Sequence, residues 1–198
     1  MPHPNPLSPL MIALAGLYAA ENRPGGYETA RALLQTADIE ADLPHHPEGP
    51  IHDQLMAALA GDAHPLAPLI RAAEPYLRWE FSSLGGRIRD DIARGMMQAE
   101  IIGPGAIFEH ASVNVGLFVQ GPNLDYVTRR HAAEETFIVL GGGALWQRGD
   151  EPQHFGGVGA VIHHPSMMPH TDCTRESPLL AAWRWTGDIS VEGYTLTG

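Results

Sequence analysis

Two segments decide the fold of this chain: R-R-H-A-A-E-E-T-F-I-V-L-G-G at residues 129–142 and G-A-V-I-H-H-P-S-M-M-P-H at residues 159–170. Each combines a short apolar run with glycine or proline, residues that end strands and form turns. Further short runs make up a series at Ser112 to Val119, Thr136 to Leu140, Val158 to Ile162 and Leu179 to Trp185. Short strands at this spacing are typical of an antiparallel sandwich or barrel. We therefore predict a mainly β protein with a β-barrel at residues 99–198.

The first 98 residues have a different periodicity and are predicted to form a helical N-terminal extension (residues 1–98). Ser8 followed by Pro9 is typical of a helix start, and apolar residues three and four apart follow it. Pro24-Gly25-Gly26 is expected to end this first helix. Further helices are predicted at Tyr27 to Ile39, Pro50 to Leu59 and Pro65 to Leu84. No motif in this half carries chemistry, so we assign it a structural role.

The composition argues against several classes of protein. A formal net charge of −11 opposes binding to nucleic acid or to anionic membrane surfaces. All twelve basic residues are arginine, so Schiff-base chemistry, pyridoxal enzymes and a P-loop are excluded because each needs a lysine. The longest apolar run, Leu10 to Ala20, is shorter than the roughly 20 residues that cross a bilayer, and it makes a poor signal peptide. We expect a cytoplasmic protein without nucleic-acid or membrane partners.

The two segments resemble the paired signature of the cupin superfamily. The first cupin motif has two histidines around one residue, a glutamate four residues after the second, and a glycine seven residues further. The second has a proline six residues after a glycine and a histidine five residues after that proline. The matching residues are Arg129, His131, Glu135 and Gly142 in the first segment and Gly159, Pro165 and His170 in the second.

The resemblance to cupins implies an antiparallel cupin-type β-barrel, and this chain departs from the pattern at two positions. Arg129 stands at the first histidine, and Met167 stands at a glycine that is usual in the second motif. A guanidinium cannot ligate a metal, and near the site it would oppose a cation. A cupin barrel that has lost its metal is therefore an alternative.

The resemblance implies that His131, Glu135 and His170 bind one divalent metal ion. Side chains on adjacent strands of a small barrel can converge on one interior point. Imidazole and carboxylate together suit Zn²⁺, Fe²⁺, Mn²⁺ or Ni²⁺, and three protein ligands leave positions open for substrate or water. The other nine of the eleven histidines lack such neighbours in the sequence, and we interpret them as structural or solvated.

The order of helices and barrel is similar to that of the cupin-type dimethylsulfoniopropionate lyases of marine bacteria. Tyr126, five residues before His131, matches an upstream tyrosine of that family, and Ala133-Glu134-Glu135 resembles its acidic pair. The His-Pro-Ser before Pro169-His170 and the tryptophan-rich stretch at Leu179 to Asp188 resemble its C-terminal half. The resemblance implies a bacterial lyase that acts on a small carboxylate carrying a sulfonium group.

In that family the metal binds the substrate carboxylate, a tyrosinate removes the proton α to the carboxylate, and dimethyl sulfide leaves with acrylate remaining. The resemblance makes Tyr126 the candidate catalytic residue and implies a substrate-binding role for Arg129, Phe137, Trp183 and Trp185. Indole faces hold a sulfonium cation by cation–π attraction on the order of 1–2 kcal/mol. A place in the barrel core explains the two tryptophans equally well. Phe137 stands at the position of the family's catalytic tyrosine and has no hydroxyl to accept the proton.

The sequence leaves three functions open. The first is a metal-dependent carbon–sulfur lyase acting on dimethylsulfoniopropionate or a related small carboxylate. The second is a non-catalytic or ligand-sensing cupin that kept the pocket. The third is a metal-dependent cupin enzyme with a different substrate, such as a non-haem Fe(II) oxygenase, which also uses two histidines and one carboxylate. The oligomeric state is open as well, and a homodimer is allowed.

Overall fold

The computed structural model describes residues 4–82 and 86–197, with most of the helices before most of the strands. The helices are α1 (Ser8–Ala20), α2 (Pro24–Ala37), α3 (His52–Ala58), α4 (Ala67–Ala73) and α5 (Asp90–Arg94), with a 3₁₀ turn at Glu74–Tyr76. The strands are β1 (Glu80–Phe81), β2 (Met96–Ile102), β3 (Val113–Gln120), β4 (Asp125–Arg130), β5 (Ala133–Arg148), β6 (His154–Gly157), β7 (Val161–His164), β8 (His170–Cys173), β9 (Leu179–Gly187) and β10 (Thr195–Thr197). The predicted combination of a mainly β fold with N-terminal helices is confirmed.

The sheet is antiparallel throughout its named strands and is organised around β5. Its order is β1-β2-β3-β9-β5-β8-β4-β10, with β6 and β7 also paired to β5. The first half of β5 pairs with β7 and β9, and its second half pairs with β6 and β8. A strand of 16 residues therefore runs through both halves of the barrel. Its early residues can meet side chains from several strands at one interior point.

Strand alternation separates two hydrophobic cores. On β9, Leu180 and Ala182 pack with the N-terminal helices, whereas Ala181 and Trp183 pack inside the barrel. The same alternation on β5 directs Ile138 to the helices and neighbouring residues to the interior. The helical layer thus covers one outer face of the barrel and leaves its interior free for a site.

The prediction that Pro24-Gly25-Gly26 ends a helix is wrong, because these residues begin α2. A Cβ atom on Gly25 would lie 2.5 Å from Thr186 Oγ1, and one on Gly26 would lie 2.5 Å from the Tyr18 carbonyl oxygen. The two glycines therefore allow α2 to approach both β9 and α1 closely. Close packing, rather than helix termination, explains their presence.

Two other predicted elements differ from the structure. The predicted helix at Pro65 to Leu84 contains α4, the 3₁₀ turn and then β1, while Leu84 itself lies outside the described residues. The run Val158 to Ile162 is divided between the turn after β6 and the start of β7, because Gly159 has a positive φ of 84° that breaks the strand.

The domain boundary between residues 98 and 99 stays a prediction, and both β1 and β2 begin before it. Within the described ranges, no helix combines the length and the apolar character needed to cross a membrane.

Candidate metal centre

The structure brings His131, Glu135 and His170 together inside the barrel. His131 lies in the turn between β4 and β5, Glu135 lies on β5, and His170 begins β8. The Oε2 atom of Glu135 is 3.5 Å from His131 Nε2 and 3.1 Å from His170 Nε2. Ligand atoms that share one cation at about 2.0–2.2 Å lie roughly 3.0–3.5 Å apart. The three side chains therefore form a buried group that could hold a metal ion.

Backbone contacts orient both histidine rings towards this point. His131 Nδ1 is 3.0 Å from the carbonyl oxygen of Ala133, and His170 Nδ1 is 2.8 Å from that of Met168. An Nδ1–H that donates to a carbonyl leaves the lone pair on Nε2, the atom that binds a metal. Both Nε2 atoms are buried, and within residues 4–82 and 86–197 neither has a partner in hydrogen-bond geometry. These two unsatisfied nitrogens beside a carboxylate are the observation that fits a cation.

Neighbouring strands on both sides of β5 hold Glu135. Trp185 on β9 donates from Nε1 to Glu135 Oε1 at 2.6 Å, and His164 on β7 places Nδ1 3.3 Å from Oε2. Burial by itself would raise the pKa of the Glu135 carboxyl, but the histidines around it, led by His131, hold that pKa well below its usual range. Glu135 is therefore ionised, as a metal ligand must be.

His164 is a site residue that the sequence interpretation missed, because it was grouped with the structural or solvated histidines. It is fully buried, and its ring stacks on that of His170 at a centroid distance of 4.0 Å. Burial lowers the pKa of His164 and lowers the pKa of His170 to about 3, so both rings are neutral near pH 7. His164 could have been recognised only from the strand register that pairs it with Glu135, and that register is known only once the fold is known.

The turn before His170 explains one departure from the cupin pattern. Met167 has a positive φ of 61°, a conformation that glycine adopts without strain. Its backbone N–H donates to the carbonyl oxygen of His131 at 2.8 Å. The turn thus ties the two histidine segments together even though methionine replaces the usual glycine.

Arg129, the second departure, is buried beside the centre and is neutralised by Asp172. Its Nη2 donates to Asp172 Oδ1 at 2.7 Å, and its guanidinium carbon lies 3.9 Å from the centre of the Tyr126 ring. Burial acts to lower the pKa of Arg129, but Asp172 raises it above its ordinary value, so the guanidinium stays charged; burial raises the pKa of Asp172, and Arg129 opposes this increase. Asp172 was not predicted, since its role depends on the pairing of β4 with β8. Because the carboxylate offsets the guanidinium charge, Arg129 does not by itself exclude a nearby cation.

A cavity of about 310 Å³ opens beside Glu135. Its wall includes all five side chains for which the sequence implied a catalytic or substrate-binding role: Tyr126, Arg129, Phe137, Trp183 and Trp185. Phe137 and Glu135 alternate with outward-facing residues on β5 and so share the interior face. The Nε1 of Trp183 is buried without a partner in the described part of the chain, whereas that of Trp185 is used to hold Glu135.

Tyr194 is another residue that the sequence interpretation missed. It precedes β10, and its hydroxyl lies 3.2 Å from that of Tyr126. Its ring stacks near His131 at a centroid distance of 5.4 Å. Burial raises the pKa values of both phenols, and Arg129 opposes this increase. Both tyrosines are therefore neutral hydroxyls on the cavity wall at neutral pH.

The cavity also contains a carboxylate that no motif indicated. Glu100 on β2 lines the wall and accepts hydrogen bonds from Gln98 Nε2 at 2.9 Å and Asn114 Nδ2 at 3.3 Å. Burial raises the pKa of Glu100. Glu100 and Arg129 lie on strands that do not pair with each other. The cavity therefore carries a carboxyl group and a guanidinium on different strands.

A second group of acidic and imidazole side chains lies on the opposite face of β5, where Glu21, Glu134 and His163 meet. Arg184 Nη2 lies 2.6 Å from Glu21 Oε1 and 2.9 Å from Glu134 Oε1. Thr136 Oγ1 also donates to Glu21 at 2.8 Å. Since a guanidinium already occupies the centre of this group, it is an ion-pair network that fastens α1 to the barrel. Glu134 and Glu135, adjacent in sequence, thus serve opposite faces of one strand.

Solved structures with similar backbones support the cupin fold. The DMSP lyase DddQ from Ruegeria pomeroyi DSS-3 matches with a TM-score of 0.67 at 22% identity, covering 98% of this chain and 97% of that one. A structure reported with the DMSP lyases RdDddP and RnDddQII also gives 0.67, at 24% identity, covering 96% and 100%. A cupin-2 domain from Rhodospirillum rubrum gives 0.50 at 11% identity, covering 63% of this chain and 77% of that one. The predicted cupin-type barrel is confirmed.

Sequence comparison leads to one family. The dimethylsulfoniopropionate lyase DddQ of Ruegeria pomeroyi is 29% identical over 118 residues, an alignment that spans 60% of this chain and 59% of the relative. The match thus covers less than two thirds of the relative's length. The family profile of the dimethylsulfoniopropionate lyases matches residues 28–181, from within α2 into β9. The chain therefore belongs to the dimethylsulfoniopropionate lyase family.

Proposed function

We propose that this protein is a metal-dependent carbon–sulfur lyase that cleaves dimethylsulfoniopropionate, or a closely related small carboxylate, by β-elimination. The observation that carries the proposal is the buried group of His131, Glu135 and His170, with two unsatisfied Nε2 atoms; its Glu135 lines a cavity that Arg129 and Glu100 also line. Membership in the lyase family supports the same reaction. A cytoplasmic location stays a prediction.

In this proposal His131, Glu135 and His170 hold one divalent ion, with Zn²⁺, Fe²⁺, Mn²⁺ and Ni²⁺ all compatible with the donors. A cation bound there would withdraw electron density from the substrate and stabilise negative charge that develops at its carboxylate. Trp185 and His164 orient Glu135, and the backbone carbonyls orient the two histidines. Such outer contacts fix ligand geometry and basicity.

The cavity wall is suited to a substrate with charge at both ends. Trp183 and Trp185 lie in an edge-to-face pair with ring centroids 5.8 Å apart, and both line the cavity. Their faces would attract a sulfonium cation by about 1–2 kcal/mol when desolvated. Glu100 adds a negative charge for the same cation, while the buried Arg129 would attract the carboxylate end.

The reaction requires a base for the proton α to the carboxylate, and Tyr126 is our candidate. When the proton moves to the base, the carbon–hydrogen electrons form the new double bond, and the carbon–sulfur electrons leave with dimethyl sulfide. Burial raises the pKa of the Tyr126 hydroxyl, but Arg129 beside its ring favours the phenolate. The Tyr194 hydroxyl, 3.2 Å away, can donate a hydrogen bond to that phenolate. Phe137, at the position of the family's tyrosine, can only shape the cavity.

One observation favours a second candidate, a ligand-sensing cupin without catalysis. Phe137 lacks the hydroxyl of the family residue, and burial raises the pKa values of both remaining phenols in the cavity. A site with ligands for a metal but no efficient base would bind a small carboxylate without cleaving it.

The two candidates are separated by measuring metal content and dimethyl sulfide release on the same preparations. For the lyase, we expect about one divalent ion per chain and dimethyl sulfide from dimethylsulfoniopropionate. Both should be lost in His131→Ala and His170→Ala, whereas His154→Ala, an exposed histidine on β6, should retain both. Metal binding without release from any tested carboxylate would favour the sensing role. Equal metal content in wild type and in both ligand variants would contradict the assigned centre.

A further inference from the structure

We infer that Arg129 binds the substrate carboxylate directly and that Asp172 positions it for this task. A guanidinium thus recognises the carboxylate from the place where the cupin pattern has its first metal-binding histidine. The inference deepens the proposed function and rests on it in one respect, namely that the cavity beside Glu135 is the substrate site.

An unsatisfied donor on Arg129 is the first observation. The residue is 2% exposed and lies on the cavity wall, yet its Nη1 has no hydrogen-bond partner among residues 4–82 and 86–197. Buried guanidinium N–H groups normally have an acceptor, since a buried N–H group without a hydrogen bond is unfavourable. An oxygen atom supplied by a ligand in the cavity would satisfy this donor.

The surroundings of Arg129 fix the direction in which it can bind. Asp172 is fully buried and is absent from the cavity wall, so it holds Nη2 without occupying the cavity. The Tyr126 ring lies against the guanidinium face at 3.9 Å. A guanidinium held at one nitrogen and one face keeps few orientations, which lowers the entropy lost when it binds a carboxylate.

The position of Arg129 also suits a substrate that must reach the metal centre. Arg129 pairs in register with His170, so the carboxylate donor and a proposed metal ligand are neighbours on β4 and β8. The other arginine on the cavity wall is Arg87, which is exposed and donates from Nη2 to the Tyr194 carbonyl oxygen. Arg87 therefore lies nearer the solvent and is the alternative carboxylate-binding residue that the experiment must test.

The experiment measures binding by calorimetry rather than turnover. The probes are 3-(methylthio)propionate, which lacks a sulfonium leaving group, and its amide, which lacks only the negative charge. The full chain is titrated as purified and again after chelation. The test variant is the double substitution Arg129→Gln with Asp172→Asn, which leaves no unpaired buried charge. The matched control is Arg175→Gln with Asp125→Asn, an exposed pair joined at 3.0 Å.

We expect the wild-type protein to prefer the carboxylate to its amide by at least about tenfold, with and without chelator, as a charge-assisted hydrogen bond predicts. The Arg129 double variant, shown by circular dichroism to be folded, should lose that preference, and the Arg175 control should keep it. If the double variant does not fold, the conservative Arg129→Lys should weaken carboxylate binding while leaving amide binding unchanged.

The inference is overturned if chelation alone abolishes the preference, or if Arg87→Ala abolishes it while the Arg129 variants keep it. A wild-type protein that does not distinguish the probes would overturn it too. Failure of the lyase proposal is a separate result: absence of dimethyl sulfide with an Arg129-dependent preference intact would leave the carboxylate site standing.

Discussion

Phe137 is the residue at which the proposed chemistry is most open to test. It lies on the interior face of β5 two residues from Glu135, and its ring is 6.0 Å from that of His164. Phe137→Tyr would place a phenol on the cavity wall beside the metal centre. General-base catalysis is typically worth about 10²–10⁴-fold, so we expect at least a tenfold increase in dimethyl sulfide release at equal metal occupancy.

Phe118→Tyr is the matched control for this substitution. Phe118 also lines the cavity, with its ring 6.0 Å from Phe137, but it lies on β3 rather than beside the proposed ligand Glu135. The substitution Phe118→Tyr should leave the rate of dimethyl sulfide release unchanged. If the wild-type protein releases dimethyl sulfide rapidly and Phe137→Tyr does not change that rate, another residue acts as the base. Tyr126 would then be the first residue to substitute.

Met167 gives a prediction about stability at the same scale. A residue with a side chain at φ 61° is strained by about 1–2 kcal/mol relative to glycine. Met167→Gly should therefore raise the free energy of unfolding by about 1 kcal/mol, after allowance for the greater freedom of glycine in the unfolded chain. Urea denaturation measures the change. Met168→Gly, at a position without positive φ, should not stabilise, and equal effects of the two substitutions would refute the explanation.

At the scale of elements, the junction between α1 and β9 depends on a buried ion pair. The side chains of Glu21 and Arg184 are 1% and 0% exposed, and Arg184 contacts the carboxylate through both Nε and Nη2. Removing one partner of a buried pair is destabilising by about 3–5 kcal/mol. Because Glu134 remains as a second partner, we expect Glu21→Gln to lower the free energy of unfolding by about 3 kcal/mol, the lower end of that range.

Glu151→Gln provides the comparison, since Glu151 forms an exposed pair with Arg148 at 2.9 Å. An exposed pair of this kind contributes less than about 1 kcal/mol. Urea midpoints of the two variants should therefore differ clearly. Similar midpoints would mean that the helical layer is held by its apolar contacts alone.

The elements also show why part of the site could be predicted and part could not. Spacing along the chain was sufficient to select His131, Glu135 and His170, because a family pattern records which positions converge. His164 and Asp172 belong to the same centre through strand register, which pairs residues far apart in sequence. No local pattern marks such partners.

Tyr194 and Glu100 were missed for a related reason. Each reaches the cavity from a strand or segment outside the two motifs, and each is an ordinary residue type in its local sequence. In the N-terminal half, the glycines before Tyr27 were misread because a helix-breaking composition and a close-packing requirement look the same in sequence. Contacts between segments distant in sequence determine both the cavity residues and the role of the glycines.

At the scale of the whole molecule, a bound metal should stabilise the fold. The proposed ligands come from the β4–β5 turn, β5 and β8, so one ion would connect three parts of the barrel. A ligand that binds only the folded state at about 1,000 times its Kd stabilises that state by about 4 kcal/mol. We therefore expect the Tm of the wild-type protein to fall on chelation and to rise again in proportion to the logarithm of added Zn²⁺ or Mn²⁺.

The same titration on His131→Ala and His170→Ala should give a Tm that does not respond to metal. His154→Ala, far from the centre in sequence and exposed, should respond as the wild type does. A metal-dependent Tm that survives in both ligand variants would locate the ion elsewhere.

The adjacent glutamates of β5 also limit how this stretch of the gene can change in length. Glu134 reaches Arg184 on the outer face, and Glu135 reaches the histidines on the inner face. Because side chains alternate along a strand, loss or gain of one codon just before them would exchange the two faces. A carboxylate would still occupy one of the two positions but not the other, and every following residue of β5 would be inverted. Insertions and deletions in related genes should therefore avoid β5 and accumulate in the turn at residues 149–153, where one codon more or less inverts nothing.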